Sequence, residues 1–156
     1  VRDFDPAVPP AELIHAQRFG NALALVLAGY EDLIDLRDRH SPSTHLVFHA
    51  YDFAIPDGRG ICNFGPWLEP TFTLRKFPAT GTSRFDVVKA MLLRFAEVLR
   101  DLANDADDVS FINAQGTLVP KPSSWHNELH PKAPGFETFA SKFHAKLKEL
   151  FPTRVA

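Results

Sequence analysis

The sequence is poor in cysteine: 156 residues hold one, Cys62. One thiol cannot form an intramolecular disulfide, and it excludes a Cys-rich zinc site. A reducing compartment is compatible with that usage. A basic excess is missing too. Lys plus Arg is 17 and Asp plus Glu is 19, for a net charge of -2. A nucleic-acid binder usually carries a basic stripe, so no nucleic-acid partner is expected. No apolar run reaches the ~20 residues of a membrane span. The longest candidate, residues 21–36, is broken by Gly29, Glu31, Asp32 and Asp35. There is no basic segment followed by an apolar one at the start, so no signal peptide is visible and the compartment is unassigned. The chain opens on Val1 and its only methionine is Met91, so an upstream piece is expected. No internal repeat occurs.

What is present is an ordinary globular composition, 45% hydrophobic and 23% charged. The length suits a single domain, residues 1–156, able to bury roughly two-thirds of its unfolded surface. Residues 1–10, with Pro6, Pro9 and Pro10, read as an arm or linker. Residues 11–39 carry apolar side chains at helical spacing (Leu13, Ala16, Leu23, Val26, Leu27, Tyr30, Leu33 and Ile34), and Ser41-Pro42 ends the pattern. Residues 44–53 (THLVFHAYDF) predict a strand covered on both faces. Residues 54–82 form a long Pro- and Gly-rich loop, with a short helix near 70–76. Its apolar residues Ile61, Phe64, Trp67 and Leu68 are candidates for a pocket wall.

Ser83 and Asp86 predict an N-cap and a weak capping box for the clearest helix. That helix is marked by Val87, Val88, Met91, Leu92, Phe95, Val98, Leu99 and Leu102. Residues 109–113 predict a second strand. Residues 135–150 predict a last helix whose buried face is Phe136, Phe139, Ala140, Phe143, Leu147 and Leu150, and Pro152 follows it. Strands alternating with helices indicate α/β architecture with parallel strands. Two strands are few for three amphipathic helices. The reading is therefore the C-terminal part of a larger sheet, with the other strands from an upstream segment or a partner chain.

In open α/β sheets ligands bind beyond the carboxyl ends of the strands. Residues 49–55 and 113–130 lie there, and the second stretch crowds His126, Asn127, Glu128 and His130 together. Three readings compete. His126, Glu128 and His130 could hold a metal if His126 and His130 shared a helix face, although the order is not H-E-x-x-H and Pro131 disfavours helix there. The histidines could be structural, capping the last helix. Or His130 could activate a hydroxyl nucleophile held elsewhere. No cofactor or metal is expected.

The block Ser124-Trp125-His126-Asn127-Glu128-Leu129-His130-Pro131, followed by Gly135-Phe136 and an amphipathic helix, resembles the last block of the SGNH (GDSL-type) hydrolases. The resemblance covers the C-terminal half of that family's domain. It implies a three-layer α/β/α, flavodoxin-like fold. It also implies an ester hydrolase acting on a small-molecule ester, with His130 as general base for a serine upstream of this chain. Trp125, Phe64 and Trp67 become candidate substrate contacts. The sequence departs from the family twice. Asn127 stands where the family has its Asp, so Asn127, Glu128 or Asp52 is left to orient His130, unless a Ser-His dyad suffices. No Gly-Asp-Ser or G-x-S-x-G occurs, so no serine here has a nucleophile signature and no oxyanion hole is recognisable. The alternative is a non-catalytic α/β module that binds a partner through its open sheet edge.

Overall fold

The computed structural model describes residues 1–155. In chain order it has α1 (Ala16–His40), β1 (Leu46–His49), α2 (Glu69–Leu74), α3 (Ser83–Asp105), β2 (Val109–Ile112) and α4 (Ala133–Leu150). Short 3-10 turns occupy Pro10–Leu13 and Pro122–Ser124. The two strands pair in parallel, with Leu46 opposite Val109 and His49 opposite Ile112. Helices and a parallel pair therefore alternate, which is α/β in the coarse sense. The sheet formed by the described residues has two strands, fewer than the flavodoxin-like sheet implied by the resemblance.

Side chains alternate across a strand, so Leu46 and Phe48 face one way and Val47 and His49 the other. The first face meets α1 and α3. Tyr30 stands edge-on to Phe48 with ring centroids 4.7 Å apart, and Ala103 and Val109 complete that cluster. The second face meets the C-terminal part, where Phe143 lies against His49 at 5.2 Å and Phe151 against His45 at 5.3 Å. Arg37, near the end of α1, is buried. Its guanidinium donates to the carbonyls of Thr44, Asp107 and Asp108. Those carbonyls precede both strands, so one side chain ties the helix to the amino ends of the sheet.

The larger core gathers Leu13, Ala54, Phe72, Phe77, Val87, Val88 and Trp125. Residues 1–10 lie against it. Arg2 N–H donates to the Leu13 carbonyl at 2.7 Å and Phe4 N–H to that of Arg75 at 2.8 Å. The Phe4 ring sits 5.1 Å from that of Phe77.

Several local expectations are corrected. The first strand stops at His49 rather than Phe53. Ala50 still donates to Ile112, but beyond it the chain leaves the ladder and Asp52 turns its carboxylate onto loop amides. Thr82, not Ser83, is the cap position of α3, and no side chain caps that helix. The expected capping box is not made. The apolar face expected for α4 is only partly covered: Phe139, Phe143, Leu147 and Leu150 are half-buried, while Phe136 is 53% exposed and Ala140 is exposed too.

Candidate functional site

The block at residues 124–132 folds as a tight two-sided turn. Trp125 and Pro131 form an antiparallel bridge. His126 N–H donates to the His130 carbonyl at 2.7 Å, and Lys132 N–H to the Ser124 carbonyl at 3.1 Å. The helical spacing that would set His126 and His130 on one face is therefore absent. Among the described residues no group of three or more His, Cys, Asp or Glu side chains is placed to share a metal ion.

Inside this turn Asn127 is fully buried. Its Oδ1 accepts from three donors: Leu129 N–H at 2.9 Å, His130 N–H at 2.9 Å and His130 Nδ1 at 3.0 Å. Two of those donors are backbone amides, so the atom facing them is the amide oxygen and not the nitrogen. An oxygen with no proton can only accept. The His130 bond therefore requires a proton on Nδ1, and the neutral ring carries its lone pair on Nε2. His130 is exposed, and the Trp67 indole stands edge-on to it at 6.4 Å.

Glu128, also 0% exposed, faces a different set of partners. Oε1 accepts from Gly58 N–H at 3.0 Å and Glu69 N–H at 2.9 Å. Oε2 accepts from Trp67 N–H at 2.6 Å and Leu68 N–H at 2.7 Å. Three of the four amides, those of Trp67, the cap position Leu68 and the first helical residue Glu69, are consecutive at the entry to α2, where unpaired N–H groups favour an anion. Of the two chain neighbours considered for orienting His130, Asn127 makes the bond. Glu128 binds the loop. Asp52 is likewise occupied, accepting from Phe53, Gly116 and Leu118 N–H at 2.7–2.8 Å.

The loop is fastened again by Arg59, which donates to the Trp125 carbonyl at 2.7 Å and pairs with Asp57. Its tip is a two-residue turn, Cys62 and Asn63 with φ of 50° and 65°, closed by the Ile61–Phe64 bridge. Phe64 is 72% exposed at that tip and does not line the cavity described below. Trp67 is held in place. A Cβ on Gly65 would sit 2.9 Å from its ring, at a φ of +79° that favours glycine. Glu69 accepts from Thr73 Oγ1 and Arg84, which holds its carboxyl below the usual range.

Beneath the turn a cavity of about 510 Å³ opens between α4 and the carboxyl ends of the strands. His49 to Asp52, Ala114, Trp125, Pro131 and four residues of α4 line it. Trp125 is 1% exposed, and its indole N–H has no partner; nor does Asn127 Nδ2. Tyr51, on the same lining, has its phenol pushed up to about 12 by burial and by the charge of Asp52.

A second Ser-His-Asp set lies at the opposite end of the sheet, and the sequence reading missed it. Ser110 Oγ and His45 Nε2 are 2.9 Å apart, and Asp108 Oδ1 is 3.7 Å from His45 Nδ1. The partners are 65 residues apart, so only strand register brings them together. The last distance is too long for a hydrogen bond. Ser110 belongs to the β2 ladder at the amino end, where α/β sheets place stability rather than ligands. It reads as a latch between the strands.

The chain matches no family model, no curated protein and no solved structure. Among the described residues no helix is long and apolar enough to cross a membrane.

Proposed function

We propose that this chain carries the general-base half of an SGNH-like ester hydrolase within a three-layer, flavodoxin-like domain that further strands complete. One observation carries the reading. Asn127 Oδ1 fixes the His130 proton on Nδ1 at 3.0 Å, and no hydrogen bond occupies Nε2 on the exposed side of the ring. An imidazole held in that tautomer can take a proton from a hydroxyl nucleophile and return it to the leaving alcohol. Asn127 orients the ring as an Asp would, without supplying the negative charge that stabilises imidazolium. The site also lies beyond the carboxyl ends of the strands.

None of the seven serines is hydrogen-bonded to His130 in the described residues. In this reading the nucleophile and the oxyanion donors come from whatever completes the sheet. Trp67 walls one side of the ring, and Glu128 is a positioning residue for Trp67.

The test uses the protein purified together with any chain that completes it, beside a His130→Ala copy. Each is given a fluorophosphonate serine probe and a p-nitrophenyl ester. One labelled serine and ester turnover are expected, both falling about 10²- to 10⁴-fold in the variant. Equal labelling in the variant, no labelling in the parent, or a label mapped to Ser110 would each overturn the reading.

A further inference from the structure

We propose that two copies of this chain pair through α1, the helices antiparallel about a two-fold axis at Gly29. The inference goes beyond the hydrolase reading and does not depend on it.

α1 carries two apolar stripes. Leu23, Leu27, Tyr30 and Ile34 are half-buried and turn toward the rest of the molecule. Ala22, Leu25, Gly29, Leu33 and Leu36 make a second stripe, and all five are exposed, Leu25 by 76%. This second stripe is not the solvent side of an ordinary amphipathic helix. That side exists as well, and it carries Glu31, Asp35 and Asp38. The steps along the exposed stripe average about 3.5 residues, the repeat of helices that pack along a shared seam.

The order of sizes in the stripe selects the occupant. A two-fold interface is self-complementary: if one residue touches a second on the other copy, the second touches the first in return. With Gly29 on the axis, Leu25 falls opposite the partner's Leu33, and Ala22 falls opposite the partner's Leu36. Ala22 borders a groove of about 280 Å³ between α1 and α3, lined also by Phe19, Val26, Met91 and Phe95. The partner's Leu36 is the knob for that groove, and symmetry makes the same fit twice. At the crossing a Cβ on Gly29 would meet nothing within 4 Å. The two backbones can therefore close to the short end of the ~8–10 Å spacing of packed helices. An unrelated segment laid on α1 would need no such mirrored order. At the ends Arg18 falls opposite the partner's Arg39 and the partner's His40. The apolar middle then holds the pair, and salt tightens it by screening the ends.

Sedimentation equilibrium of the full chain from about 1 µM to about 1 mM is expected to show a dimer, twice the 17.4 kDa of one chain. Added NaCl should tighten it. Leu25→Lys and Leu33→Glu, both at exposed positions, should each weaken the dimer at least tenfold. Mixed together, the two variants should pair with each other at least tenfold better than either pairs with itself. The register then sets one lysine against one glutamate and leaves one leucine pair intact. Circular dichroism matching that of the parent checks that both variants fold.

Four results overturn the proposal. They are a monomer at every concentration, a dimer that dissociates in salt, a dimer that either variant keeps, as pairing through the β1 edge would leave it, or variants that lose the dimer singly and do not regain it when mixed.

Discussion

Asn127 and Glu128 are adjacent, both fully buried, and their side chains serve partners in different parts of the molecule. The partners of Asn127 are two and three residues away, so a side chain of that length in a turn could be expected to find them. Those of Glu128 are 59 to 70 residues away in the chain. No local pattern in the sequence marks them, which is why it left open which of the two orients His130. Tyr51 is a similar case, because its environment is made by Asp52 and by burial. Its phenol titrates near 12 when folded against an ordinary 10.0. A raised pKa adds stability that is whole below pH 10 and is lost as pH climbs through 12. Urea midpoints at pH 9 and pH 11 are therefore expected to differ more in the parent than in Tyr51→Phe. An equal drop in both would mean that ionisation of this phenol does not drive the loss.

The loop between β1 and α3 owes its shape to one carboxylate. Replacing Glu128 with Gln keeps the size but presents an NH₂ group to amides that need an acceptor. At least two buried N–H groups lose their partner, which costs about 2–5 kcal/mol. Denaturant unfolding of Glu128→Gln should show that loss, and the amides of Gly58, Trp67, Leu68 and Glu69 should exchange faster than in the parent. Unchanged exchange at those four amides would mean the carboxylate does not anchor the loop. α3 was legible in the sequence because its apolar stripe is periodic and its buried residues, Val87, Val88, Ala96, Leu99 and Ala103, follow that period. β1 was legible in position and not in length. Its apolar composition runs on to Phe53, but a strand lasts only as long as its partner does, and β2 ends at Ile112. The buried face of α4 was legible in position and overestimated in extent for the same reason: Phe139, Phe143, Leu147 and Leu150 are half-buried, but Phe136 and Ala140 are exposed. Amphipathic spacing announces a face to be covered, and the cover has to come from other elements.

At the scale of the molecule the open question is the free side of β1. Leu46 N–H donates to Asp108 and Ala50 N–H to Ile112, so the even-numbered amides of this strand point into the pair. Alternation then turns the amides of Val47 and His49 outward, to an edge where no described strand pairs. Exposed Leu25, Val26, Leu33 and Leu36 of α1 also lie uncovered. An unpaired parallel edge beside apolar surface is a template for another strand. Hydrogen exchange reads the edge directly. If this chain stands alone, Val47 and His49 should exchange near the rate of free amides while Leu46 and Ala50 are protected by the ladder. Comparable protection at all four positions, retained on dilution, would mean that a further strand already lies along β1. Under the proposed hydrolase reading, that strand would be the first place to look for the hydroxyl partner of His130.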